Sequence, residues 1–209
     1  MKCIQLIKQV NNTELGKGGT HEYYILVPQD VDVSDLFETI GQTYTFTDKH
    51  SHKEYNIRLT SAREKRIVGM GPFYRDNDLQ AGDKVLVERI LLQDGTSKYA
   101  LSFRRSTDTV YFQKVKDYFE VLTPERLESV LDIEWNDDNG SLVKVHYHGE
   151  IMKRADSPSP TKVYNILLDN EEIRKNFQSG DIIGLRLQNG YVKLVGFNPW
   201  KKYITEVAE

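Results

Sequence analysis

Four consecutive residues, Arg63-Glu64-Lys65-Arg66, place guanidinium, ammonium and carboxylate groups side by side. Arginine and lysine donate to the O6 and N7 acceptors of guanine, and a carboxylate accepts from the N4 amine of cytosine. The tetrad therefore holds both halves of the major-groove hydrogen-bond code of a G·C pair. A local ion pair between Glu64 and a neighbouring arginine accounts for the same residues, and both readings stand at this point. The surrounding stretch is basic: Lys49, Lys53, Arg58, Arg63, Lys65 and Arg66 lie within 18 residues, against only Glu54 and Glu64, with His50 and His52 among them. An excess of about four positive charges suits phosphate, although a solvated mixed-charge face is the plainer explanation of such a run taken alone. A second candidate is Gly16-Lys17-Gly18-Gly19-Thr20. Its lysine precedes Gly-Gly-Thr and a strand follows, which excludes the phosphate-binding loop that opens a helix. A glycine-rich loop carrying one cation remains, able to bring backbone N–H groups close to a phosphate because no Cβ stands in the way.

Catalytic patterns fail on spacing. A metal-dependent nuclease of the common restriction type needs an Asp and then an acidic-x-Lys pair to hold magnesium and activate water. Glu150-Ile151-Met152-Lys153 has one residue too many, Asp132 and Glu134 have no lysine two residues on, and Glu64-Lys65 lacks the intervening position. His146-Tyr147-His148 puts two imidazoles on one strand face without a third ligand nearby. It reads as alternating surface histidines, as do His50 and His52. No catalytic or metal-binding residue is assigned.

The elements that must position these groups are mostly strands. Period-two alternation with aromatic and β-branched residues marks 4–9, 21–27, 42–47, 53–59, 84–91 and 99–103. Gln93-Asp94-Gly95-Thr96 reads as a hairpin turn. Asp32–Phe37 suggests one or two helical turns. Thr109–Val121 reads as the best helix, because Tyr111, Phe112, Val115, Tyr118 and Phe119 share a helical stripe. Thr123-Pro124 then offers a cap and first-turn proline for a helix over 126–131. There is a faint internal repeat. Tyr55-Asn56-Ile57 is echoed by Tyr164-Asn165-Ile166, and Gln80-Ala81-Gly82-Asp83 by Gln178-Ser179-Gly180-Asp181. Asp137-Asp138-Asn139-Gly140 reads as a turn and 155–160 as a proline-rich loop.

The 209 residues suit one large or two smaller domains. Net charge is −3, with residues 1–124 neutral and 125–209 acidic, so bulk charge does not announce a nucleic-acid partner. One cysteine, Cys3, excludes internal disulfides and a cysteine zinc site. No apolar run reaches the roughly 18–20 residues that span a bilayer, and the first residues lack a signal-peptide core. A cytoplasmic protein without a membrane partner is expected.

The order of the loops adds a resemblance. Ile7-Lys8-Gln9-Val10, Asn12-Thr13, Gly16-Lys17-Gly18-Gly19-Thr20-His21-Glu22 and Tyr24-Ile25-Leu26-Val27-Pro28 resemble the opening of the effector domain of EcoRII-type restriction endonucleases. Asn56, Arg63-Glu64-Lys65-Arg66-Ile67 with Gly69 and Gly71, and Ser106-Thr107-Asp108 continue the resemblance, which spans roughly 4–124 but not the segment between Pro28 and Tyr55. It implies a mainly β fold: a DNA-binding pseudobarrel similar to the plant B-three domain, a seven-stranded open barrel with a few short helices, over 1–124. A second small β-rich unit is expected over 125–209, with a diverged second copy, an extension of the first unit and a linker domain as the alternatives. It also implies two arms in the major groove, Thr13–Glu22 and Thr60–Gly69. Carried over, Arg66, Glu64, Lys65, Arg63, His21 and Lys17 would face bases. Thr13, Gly18, Gly19, Thr20 and Glu22 would belong to the first arm. Lys49, His50, Lys53, Arg58, Arg75, Arg104 and Arg105 would meet phosphates. The implied role is sequence-specific recognition of double-stranded DNA, at a CCWGG-like site, by the target-binding part of a type II restriction endonuclease. No cofactor is expected for this chain, and Mg2+ only for a separate nuclease domain beyond residue 209. The alternatives are a stand-alone DNA-binding regulator, a protein-interaction β-module, and an enzyme with a nuclease site within 125–209.

Overall fold

The computed structural model describes residues 1–17, 21–105, 109–123, 132–136, 140–153, 160–188, 191–196 and 200–206. The chain divides into two units, Met1–Arg105 with Pro199–Glu209, and Ser106–Asn198. The division falls at residue 105 rather than near Pro124, and the last residues return to the first unit.

The first unit contains β1 (Lys2–Gln9), β2 (Tyr24–Val27), β3 (Thr43–Asp48), β4 (Glu54–Ser61), β5 (Lys65–Val68), the short helix α1 (Gly71–Asp76), β6 (Lys84–Leu91) and β7 (Ser97–Arg104). Asp32–Phe37 makes a single turn, with the Phe37 N–H donating to the Val33 carbonyl. Alternation sets the strand faces: Tyr55, Ile57 and Leu59 of β4 are buried, while Glu54, Asn56 and Arg58 are exposed. The strands are ordered β1-β6-β7-β3-β4-β5-β2 in one curved sheet. Among the described residues, only β3 and β7 pair in parallel, through Thr47↔Ala100 and Asp48↔Leu101. Phe46, Ile57, Ile67, Phe73, Val87 and Leu101 fill the interior. This is an open seven-stranded pseudobarrel.

The opening lies between β1 and β2, and a buried carboxylate bridges it. Glu14 is 1% exposed. Its oxygens accept from the Leu26 N–H of β2 at 2.9 Å and the Asn11 N–H at 3.1 Å, and one lies 3.3 Å from Lys8 Nζ at the end of β1. Its carbonyl accepts from the Tyr24 N–H at 3.2 Å. Burial pushes the Glu14 carboxyl up and the Lys8 amine down, and their pairing opposes both shifts.

The second unit holds β8 (Thr109–Val115), β9 (Tyr118–Val121), β10 (Asp132–Asn136), β11 (Leu142–Ile151), β12 (Thr161–Leu168), the two-residue β13 (Glu171–Glu172), a 3-10 turn over Ile173–Asn176, β14 (Ile182–Gln188) and β15 (Tyr191–Gly196). The expected helix over 109–121 is the β8–β9 hairpin. Thr109, Val110, Tyr111 and Phe112 are all buried, so β8 is covered on both faces and shows no alternation. Gly184 of β14 pairs with Tyr111, and a Cβ there would lie 2.8 Å from Thr109 and 3.1 Å from the Tyr111 ring. The predicted helix over 126–131 and the segments 106–108, 137–139 and 155–159 lie outside the described residues.

Both units share one topology. Numbered within each unit and omitting β13, the first sheet runs 1-6-7-3-4-5-2 and the second 3-4-5-2-1-6-7. Joined end to end these are the same circle, opened between strands 1 and 2 in the first unit and between 7 and 3 in the second. The turn before the sixth strand repeats too. The Gly82 N–H donates to the Val10 carbonyl and the Gly180 N–H to that of Lys114, both at 2.8 Å. The Gln80 and Gln178 N–H groups donate to the carboxylates of Asp83 and Asp181 at 3.0 and 2.7 Å. Of the two sequence echoes, Gln-x-Gly-Asp is therefore equivalent. Tyr-Asn-Ile is not, because Tyr55 lies on the fourth strand of its unit and Tyr164 on the fifth. The loop between strands 1 and 2 spans residues 10–23 in the first unit, but only Lys116-Asp117 in the second.

The last strand, β16 (Trp200–Glu206), pairs antiparallel with β1 from Lys2↔Glu206 to Lys8↔Trp200. Lys202 ties it to the segment after β2, donating to the Asp32 carbonyl at 2.6 Å and pairing with Asp35 at 2.8 Å.

Candidate functional site

The β4–β5 hairpin turns at Ala62–Glu64, where the Ala62 N–H donates to the Glu64 carbonyl at 3.3 Å. In β5, Ile67 enters the core, so Arg66 and Val68 face outward. β2 pairs with β5 through Tyr24↔Val68 and Leu26↔Arg66, which brings Tyr24 to the same outer face. Arg66 is held on three sides. Its Nε and Nη2 donate to one Glu64 oxygen at 3.0 and 2.8 Å. Its Nη1 donates to Glu22 at 2.7 Å. Its Cζ lies 4.3 Å from the centre of the Tyr24 ring. The Glu64 hydrogen bond pushes the Arg66 pKa up. Burial raises the Tyr24 phenol, and Arg66 opposes that shift.

Glu22 and Arg66 belong to the two loops named as arms, so the loops meet on this face. Between them lies a concavity of about 630 Å³, lined by Glu22, Tyr24, Thr60, Arg63, Glu64 and Arg66 among others. Arg63 at its rim is exposed and has no ion-pair partner among the described residues. Arg58 lies on the same outer face, opposite Val68. Two glycines and a tyrosine fix the root of the first loop. Gly16 has φ +72° and leaves room for the Tyr23 ring, which a Cβ would meet at 2.7 Å. Tyr23 also packs against Gly71 and lies beneath Arg75, 5.2 Å from ring centre to Cζ.

Other expected contacts are directed elsewhere. Lys65 Nζ donates to the carbonyls of Gln29 and Val31 at 3.1 and 3.3 Å, leaving the concavity. Lys17 donates to Gln80 at 3.0 Å. Arg105 clamps the chain after α1, donating to the carbonyls of Asn77 and Asp78 and pairing with the buried Asp83 at 3.1 Å. Lys49 pairs with the buried Glu88 at 2.5 Å. Lys53 pairs with Asp76 at 3.1 Å, and Asp76 also accepts from the Tyr55 hydroxyl. Burial and Asp76 push the Tyr55 phenol up to about 12. Lys49, His50 and Lys53 sit in the β3–β4 turn, at the far end of β4 from Arg63, roughly 24 Å along a strand of this length. Thr13, His21 and Arg104 are exposed, His21 with φ +52°. Gly18, Gly19 and Thr20 lie outside the described residues.

The structure thus brings together Glu22, Arg63, Glu64 and Arg66, with Arg58 on the same outer face, and directs Lys17, Lys49, Lys53, Lys65 and Arg105 to other partners. Sequence reasoning missed Tyr24, which floors Arg66, and Glu14, which anchors the first loop. Glu14 carries no signal of its own in the sequence, because its partners Lys8 and Leu26 are brought to it only by folding.

Among the described residues, no three His, Cys, Asp or Glu side chains are grouped to hold a metal. In the second unit Glu134 pairs with Lys144 at 3.0 Å, Lys153 with Glu120 at 2.5 Å, and His148 stacks on Tyr118 at 4.0 Å.

No family model and no curated protein matches the chain. Solved structures do. A FUS3–DNA complex from Arabidopsis matches at 15% identity and a TM-score of 0.36, covering 48% of this chain and 96% of that one. The B3 domain of the UbaLAI restriction endonuclease, with cognate DNA, matches at 17% and 0.36, covering 51% and 70%. The N-terminal domain of Helicobacter pylori LlaJI.R1 matches at 13% and 0.35, covering 52% and 84%.

Proposed function

We propose that the first unit binds double-stranded DNA sequence-specifically, with the face between its two loops turned to the major groove. The observation that carries this is the meeting of Arg66 and Glu64 from one loop with Glu22 from the other, on an exposed concave face. Arg66 offers a planar donor fork to guanine, and Glu64 beside it offers an acceptor to cytosine N4. Arg63 and Arg58 supply charge for phosphates, which positions the protein without specifying sequence. On the resemblance of residues 4–124, the unit serves as the target-binding part of a type II restriction endonuclease that reads a CCWGG-like site, with cleavage left to a separate domain.

A mobility-shift titration of the whole chain tests this reading, with a CCWGG duplex and a scrambled duplex at about 150 mM salt. A preference of about a thousandfold or more for the intact site is expected. Equal binding to both duplexes, or binding to neither, removes CCWGG as the target and sends the search to other DNA sequences or to proteins.

A further inference from the structure

Arg66 carries five N–H donors on a planar fork. Glu64 takes the edge formed by Nε and Nη2, through one oxygen. A guanine approaching in the plane of the fork must use the edge that remains, which includes Nη1. Glu22 occupies Nη1. The two carboxylates therefore play different parts. Glu64 is two residues from Arg66, in the same hairpin, and can hold the fork while the other edge works. Glu22 comes from the opposite loop and is 57% exposed, so it can leave for water.

We propose that Glu22 is an internal competitor for the Arg66 fork, seated where a base edge must dock, and that it lowers the affinity of the chain for DNA. This rests on the DNA-binding reading above. Glu64 then holds the fork through one oxygen and keeps the other for cytosine N4, and Glu22 is a counter-ion that DNA displaces.

A double-mutant cycle with Glu22→Gln and Arg66→Met tests it, using a duplex enriched from a randomised pool by the wild-type chain. Thermal melting checks that each variant is folded. In the wild-type background, Glu22→Gln is expected to tighten binding about two- to fivefold, the range of an exposed ion pair. In the Arg66→Met background the gain is expected to vanish, because the competitor has nothing left to compete for. A gain that persists there overturns the proposal in favour of plain repulsion between Glu22 and phosphate. Weaker binding by Glu22→Gln overturns it too, because Glu22 then touches a base itself. An unchanged affinity shows that no competition exists. Failure of the wild type to enrich any duplex is a separate result, which removes the DNA reading and the proposal with it.

Discussion

Replacing Glu14 with alanine is expected to destabilise the first unit by about 3–5 kcal/mol, the usual cost of breaking a buried ion pair by removing one partner. Lys8, 4% exposed, loses the Glu14 carboxylate, and the Leu26 and Asn11 N–H groups lose their acceptor. The damage falls where β2 closes on β1, so the Leu26 amide should lose hydrogen-exchange protection along with global stability. The paired change Lys8→Met with Glu14→Gln removes both charges and keeps an acceptor for Leu26, and it should recover most of the loss. Denaturant titration of the variants checks this. A Glu14→Ala protein within about 1 kcal/mol of wild type would show that the seam does not depend on Glu14.

Gly69→Ala is the second large effect, expected at about 2–4 kcal/mol. Gly69 has φ +93°, and a Cβ would lie 2.3 Å from the Asn56 carbonyl oxygen. That oxygen belongs to β4, whose ladder with β5 ends at Arg58↔Val68, so relief requires the two strands to part. Gly95 separates the two causes. It has φ +81° but nothing within 4 Å of a Cβ, so Gly95→Ala costs only the backbone strain of about 1–2 kcal/mol. Equal losses in the two variants, measured as shifts in denaturation midpoint, would show that the close approach at Gly69 contributes nothing.

Most strands of the first unit were legible because they are covered on one face, and alternation reports that directly. β8 was not, because burial of both faces leaves an unbroken aromatic run that also satisfies a helical stripe. The return of residues 200–206 to β1 was invisible for another reason: pairing partners about 200 positions apart leave no local pattern. At the site, the basic tetrad pointed to Arg66 and Glu64. Lys65 was expected at a base and Arg105 at a phosphate, and only the fold turns them toward backbone carbonyls. The ion pair between Glu64 and Arg66 is present, so the plainer of the two readings of that tetrad holds in the free protein. It coexists with the DNA-binding proposal, because it occupies only one edge of the guanidinium.

The most direct test of the central claim is selection of duplexes from a randomised pool by the wild-type chain and by Arg66→Ala. The proposed arms predict one short motif containing G·C pairs, enriched by the wild type and lost or degenerate at one base pair in Arg66→Ala. The same motif enriched equally by both proteins, or no motif from the wild type, would contradict the assignment of this face to DNA recognition.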